Sequence, residues 1–157
     1  MTSAVRDDIL RFIARPVYPY LVTTTKQGAP YLRPVICVNN GFQIRMITRL
    51  ASHKVQHVRQ NPLVTIFWTS HEGTPPRSVM LQARVTLLTD PQAIDAFAAD
   101  YRRKNPERTR ELPSGDDELA RVVLSAEPIF LRADGFGGFR PVILRADDLM
   151  APVAPAP

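Results

Sequence analysis

The sequence predicts a mainly β, mostly antiparallel fold carrying three or four short helices. Three observations predict it. Residues 77–88 alternate, with Val79, Leu81, Ala83, Val85 and Leu87 on one face and Gln82, Arg84 and Thr86 on the other. That is the period of a strand with one buried face. Asn39-Asn40-Gly41 joins two extended runs, residues 31–38 and 42–48, and Asn-Gly is the strongest short hairpin signal because both residues tolerate positive φ. Helical patterns are short, and prolines close them: Pro16 follows residues 3–14 and Pro62 follows residues 53–59.

The chain has 157 residues, of which 45% are hydrophobic. That is enough for one domain with a real core, expected over residues 1–150, and too little for two ordinary ones. A formal net charge of +5 permits an acidic partner but does not demand one, because the arginines are spread along the chain. The single cysteine, Cys37, excludes an intrachain disulfide and reads as a small buried hydrophobe in an apolar strand. No apolar run approaches the ~20 residues that span a membrane, and no signal-peptide core opens the sequence. A soluble, cytoplasmic protein is expected.

In chain order, residues 3–14 form an amphipathic helix, with Ser3 as its cap and Val5, Ile9, Phe12 and Ile13 as its apolar stripe. The helix is expected to cover an open end of the fold. Residues 20–25 are a β-branched strand, and residues 26–30 turn the chain into the run 31–38. Pro34 cannot donate to a ladder and belongs at an edge or bulge. Residues 63–69 are a further strand, where Trp68 fits a core or an interface better than a ligand stack. His71 beside Glu72 has no further ligands at metal spacing, so no zinc site is read there. Asp90-Pro91 opens a helix as cap and first residue, with Ala93, Ile94, Phe97, Ala98 and Tyr101 facing inward. Residues 102–110 hold five cations, read as a solvated helix end or as a rim for an anionic partner. Asp116-Asp117-Glu118 reads as the acidic first turn of a short helix carrying Leu119, Val122, Val123 and Leu124. Residues 127–133 read as the last main strand. Residues 134–139, Asp-Gly-Phe-Gly-Gly-Phe, do not fit a dinucleotide fingerprint and read as a Gly-rich turn between strands. Residues 151–157 are expected to be a disordered Pro/Ala tail.

One stretch points to a ligand. Ser52 is a good N-cap for the helix from His53, yet Arg49, His53 and Lys54 crowd its start. Cations there cost roughly 0.3–1 kcal/mol each against the helix dipole. A bound anion would turn that repulsion into a site; side chains directed into water would make it small. The residues alone leave both readings open.

Arg33-Pro34-Val35, the hairpin, Thr48 and Ser52-His53-Lys54 ahead of Asn61-Pro62 resemble the pyridoxamine 5′-phosphate oxidase-like flavoproteins, the FMN-binding split β-barrels. The likeness runs from about Ile9 to about Thr89. It implies a six-stranded antiparallel split β-barrel that assembles as a homodimer, with flavin between subunits. The cofactor-binding residues it implies are Arg33, Val35, Ile47, Thr48, Ser52, His53, Lys54, Arg77 and Ser78. Here His53 stands in an Arg-Lys pair on the phosphate, and Ser78 in an Arg-Gln pair near the flavin ring. Phe136, Phe139 and Arg140 would border the ring's edge. The function implied is that of an FMN-dependent oxidoreductase, with two-electron transfer between the flavin and a small substrate. The alternatives are a deazaflavin-dependent reductase, whose coenzyme tail would use the basic rim, and a haem- or flavin-binding module without turnover, with His53, His57 or His71 as axial ligand. No Ser-His-Asp set, carboxylate pair or metal cluster offers chemistry without a cofactor.

Overall fold

The structure, a computed structural model, describes residues 2–112 and 120–150. Eight strands form one antiparallel sheet: β1 (Tyr20–Thr24), β2 (Pro30–Pro34), β3 (Cys37–Asn40), β4 (Gln43–Arg49), β5 (Leu63–Ser70), β6 (Arg77–Leu88), β7 (Arg121–Gly137) and β8 (Arg140–Arg145). Their order is β2-β1-β5-β6-β7-β4-β3, with β8 on the free part of β7. Helices α1 (Ser3–Ile13), α2 (His53–Gln60), α3 (Pro91–Lys104) and α4 (Ala146–Met150) complete the fold, with a 3₁₀ helix at Pro106–Glu111.

The expected single run over residues 31–38 is two strands. β2 and β3 are separated by only two residues, Val35 and Ile36, yet occupy opposite edges of the sheet. The sheet must therefore curl until its edges converge at this corner. No ladder joins β2 to β3, so the barrel stays split. Pro34, without a backbone donor, ends the edge strand, and Val35 N donates instead to Pro19 O at 3.0 Å. The strand count is accordingly eight where six were expected.

Two cores flank the curved sheet. The main one is a cross-strand row: Leu21 pairs with Ile66, Ile66 with Leu81, Leu81 with Leu131, and Leu131 with Leu144. All five are buried, as is Trp68. Ile9, Phe12 and Ile13 of α1 and Val55 and Val58 of α2 close over this core. The second core lies under α3, where Phe97 and Tyr101 meet Val38, Ile47 and Val123. Asp90 Oδ1 accepts from Ala93 N at 2.8 Å, with Pro91 at the first turn, as the sequence predicts.

Three local expectations are corrected. The predicted helix over residues 119–124 is strand where it is described: Val122, Val123 and Leu124 open β7, paired to β4 on one side and β6 on the other. Consecutive burial arises because Val122 and Leu124 face the main core while Val123 faces the second. The acidic turn at residues 116–118 and the tail at residues 151–157 lie outside the described residues. In the β3–β4 hairpin Asn40 pairs with Gln43, and only Gly41 has positive φ (58°). Glycine alone, at the first loop position, thus supplies the reversal. The cap of α1 is Thr2, with Ser3 already inside the helix.

A candidate anion site at the start of helix α2

Thr23 is the one buried polar residue given by the sheet's inner face among the described residues, and a cationic cluster is built on it. Arg33, across the β1–β2 ladder, donates from Nη1 to Thr23 Oγ1 at 3.2 Å and also from Nη2 to the same oxygen. Thr23 Oγ1 lies 2.9 Å from His57 Nδ1, and Arg33 Nη2 lies 3.5 Å from that nitrogen. A guanidinium can only donate, so Nδ1 must accept, and the Thr23 hydroxyl hydrogen turns toward it. The His57 proton therefore sits on Nε2 and the ring is neutral. His53, one turn earlier, stacks on His57 with centroids 6.5 Å apart, and Tyr31 meets His57 edge-on at 5.2 Å.

The electrostatics are one-sided. Burial first, then the Arg33 charge, holds the Lys54 ammonium below its ordinary value. Burial also lowers Arg33. Among the described residues no carboxylate pairs with Arg33, His53, Lys54 or His57. Arg33 Nε is buried and has no hydrogen-bond partner among them. Ser52 holds the N-cap position of α2 in an extended conformation, but its side chain makes no capping bond; its Oγ accepts from Thr48 Oγ1 at 3.3 Å. The helix start is thus left without the cap that the sequence predicts, beside the Lys54 ammonium and the Arg33 guanidinium. An anion would satisfy both the amides and the cations.

A pH dependence follows. His57 lies below its ordinary value of 6.5, by burial first and then by the charges of Arg33 and His53. As pH falls through that value the unfolded chain takes up the proton before the folded one does. Stability from the neutral ring is therefore complete above about pH 6.5 and declines below it. Thermal melts of the ligand-free protein should show a falling midpoint on acidification, partly flattened by His57→Gln. Parallel curves for the two proteins would assign the loss to other groups.

The structure assembles Arg33, Thr48, Ser52, His53 and Lys54 around α2 and adds Thr23, Tyr31 and His57, which sequence reasoning did not place in the cofactor set. The signal for His57 was its spacing of four from His53, one helical turn. Val35 and Ile47 contribute differently: both side chains are buried, Val35 in the main core and Ile47 under α3. Ile47 lies beyond the last β3 pair, Cys37 with Met46, so the β4 backbone from Ile47 to Arg49 is free of β3. Arg77 and Ser78 are not brought to the cluster. Arg77 pairs with Ser70, six residues along β5 from Val64 at the Thr23 level, or ~20 Å at ~3.3 Å per residue.

Other expected site residues have structural surroundings. Phe136 packs edge-on against Phe12 at 5.2 Å, whereas Phe139 is 87% exposed at the β7–β8 turn. In the basic rim, Asp100 holds Arg45 and, at 3.2 Å, Arg103; Lys104 donates to Asn39 O; and Arg108 lies over the Tyr18 ring at 5.1 Å. These contacts fit a partnered helix end. Among the described residues no group of three or more His, Cys, Asp or Glu is placed to hold a metal, and no helix is long and apolar enough to cross a membrane.

Comparison with known proteins finds the same fold elsewhere. A heme-binding protein from Mycobacterium smegmatis superposes with TM-score 0.70 at 14% identity, over 92% of this chain and 59% of that one. An F420 reductase gives 0.62 at 20% identity, over 77% and 93%. General Stress Protein 26 from Bacillus anthracis gives 0.62 at 15%, over 91% and 97%. At these identities the likeness is one of fold. No curated protein matches the chain in sequence. The family model described as pyridoxamine 5′-phosphate oxidase matches residues 5–131, most of the sequence, and the chain accordingly belongs to that family.

Proposed function

We propose that this protein is an FMN-dependent oxidoreductase acting on a small substrate, with the cofactor phosphate held at the start of α2. The observation that carries the reading is a carboxylate-free cluster of Arg33, His53 and Lys54 beside an uncapped helix start, with Arg33 Nε buried and unpartnered among the described residues. A phosphate dianion fits this donor set: Arg33 and Lys54 would make charge-assisted contacts, His53 a third, and the α2 amides the remainder. Thr23 and His57 orient the Arg33 fork from behind. Thr48, and the β4 edge beyond its last pair with β3, would serve the rest of the cofactor. When bound, the flavin supplies the two-electron chemistry, and the protein supplies binding, orientation and electrostatics.

The test is spectroscopic and comparative. Protein purified with flavin should show two bands, in the near-ultraviolet and the blue, and should bind FMN at least about tenfold more tightly than riboflavin. A Soret band instead would replace this reading with a haem protein, and equal affinity for the two flavins would remove the phosphate from the cluster.

The assembly proposed is a homodimer. On the sheet's outer face Tyr20, Phe67, Met80, Arg132 and Ile143 form one cross-strand row, with Leu32 61% exposed and Ile143 43% exposed nearby. Apolar surface of this kind on a sheet face is typical of a covered interface. Light scattering should give twice the chain mass; a stable monomer that still binds FMN tightly would exclude a shared flavin site.

A further inference from the structure

At the other end of the barrel, a cavity of about 510 Å³ lies between α1 and the loop joining β5 to β6. Three arginines line it, Arg11, Arg15 and Arg77. Two share one carboxylate: Asp8 Oδ2 lies 3.0 Å from Arg77 Nη2, and Asp8 Oδ1 lies 3.6 Å from Arg11 Nη2. Arg15 has no carboxylate partner among the described residues, yet it is held in place. Its Nε donates to Phe12 O at 3.2 Å, and its guanidinium carbon lies 3.9 Å from the Phe12 ring centroid. Phe12 is itself buried, and Phe136, which meets it edge-on, carries Arg77 at 4.8 Å on its ring. Arg15 therefore presents a flat fork whose terminal N–H groups are uncommitted and whose orientation is set by stacking and one hydrogen bond.

We propose that this cavity is a binding site for a small, singly charged carboxylate, received by Arg15. A planar carboxylate matches a planar guanidinium in bidentate fashion, and a fork already ordered loses little freedom on binding. The charge of the lining selects the class. Asp8 and Glu72 stand on the same walls as the three arginines, leaving a surplus of one positive charge. A monoanion is balanced by that surplus; a phosphate dianion would face both carboxylates. The volume lies within the range of small-molecule sites and accommodates a body attached to the carboxylate. Gly135 contributes to the wall's construction: a Cβ there would lie 2.8 Å from Pro76 O and 3.2 Å from Arg77 Cα, so only glycine lets the strand pass so close behind Arg77. Arg15 itself stands apart from the proposed phosphate cluster, whose Thr23 lies level with Val64 near the other end of β5.

The experiment is an NMR titration of the full-length, ¹⁵N-labelled chain with benzoate, its neutral analogue benzamide and inorganic phosphate. Benzoate should shift the amides of Arg15, Ser70 and Gly73 saturably, and benzamide should bind there at least about fivefold more weakly. Arg15→Gln should weaken benzoate by a similar factor, and Arg15→Lys, which keeps the charge without the fork, should recover only part of the loss. Equal affinity for benzoate and benzamide, no saturable benzoate shift at these amides, or phosphate competing benzoate out of the cavity would each overturn the proposal. If Arg15→Gln does not fold, the benzoate and benzamide comparison on the unaltered chain decides.

Discussion

Replacing Arg33 with Met is expected to weaken FMN binding by about ten- to a hundredfold while leaving riboflavin binding nearly unchanged. Charge-assisted hydrogen bonds contribute about 1.5–3 kcal/mol each, and every 1.4 kcal/mol is tenfold in affinity. Met keeps the length and apolar stem of the side chain but removes every donor. Lys54→Met should act in the same direction, since Lys54 and Arg33 are close enough for the Arg33 charge to lower the ammonium. The comparison with riboflavin separates a phosphate contact from a general loss of fold. Calorimetric titration with both ligands measures it directly. Loss of both affinities to the same extent, together with a lowered melting midpoint, would make Arg33 a structural partner of Thr23 and nothing more. The cluster's composition argues against that outcome, because cations assembled without a carboxylate repel one another in the ligand-free protein.

Leu131→Ala is expected to destabilise the protein by about 2–5 kcal/mol, a large part of the ~5–15 kcal/mol that a domain of this kind possesses. Leu131 is 0% exposed and stands at the middle of the inner row, between Leu81 of β6 and Leu144 of β8. Strands hem it in on both sides, so the cavity left by truncation cannot easily collapse. Denaturant unfolding should show a lower midpoint with an unchanged slope. Phe139→Ala, at the 87% exposed turn position, serves as the control and should change stability by less than about 0.5 kcal/mol. Equal effects at the two positions would contradict the placement of the core.

Local chemistry determined much of this protein without help from its neighbours. The alternation in β6, the Asp90-Pro91 start of α3 and the apolar stripe of α1 are each legible because one face of a regular element meets the core and the other meets water. Arg49, His53 and Lys54 could also be singled out, since cations at a helix start conflict with its dipole and call for an anion, whereas Arg33 is named only through the family resemblance. Tertiary structure decided the rest. Val122, Val123 and Leu124 look helical beside an acidic segment, but β7 lies between two cores, and burial on both faces removes the alternation that would mark a strand. The break at residues 35–36 separates two strands that share one continuous apolar run; the curling of the sheet, which carries its edges to a common corner, makes it. His57 joins Arg33 only because β1 sets Thr23 between them, a contact across 34 residues of sequence that no local pattern encodes. The separation of Arg77 from Lys54 has the same origin. Adjacent strands fix register residue by residue, so the length of the β5–β6 hairpin, and not spacing along the chain, sets which cations share a site.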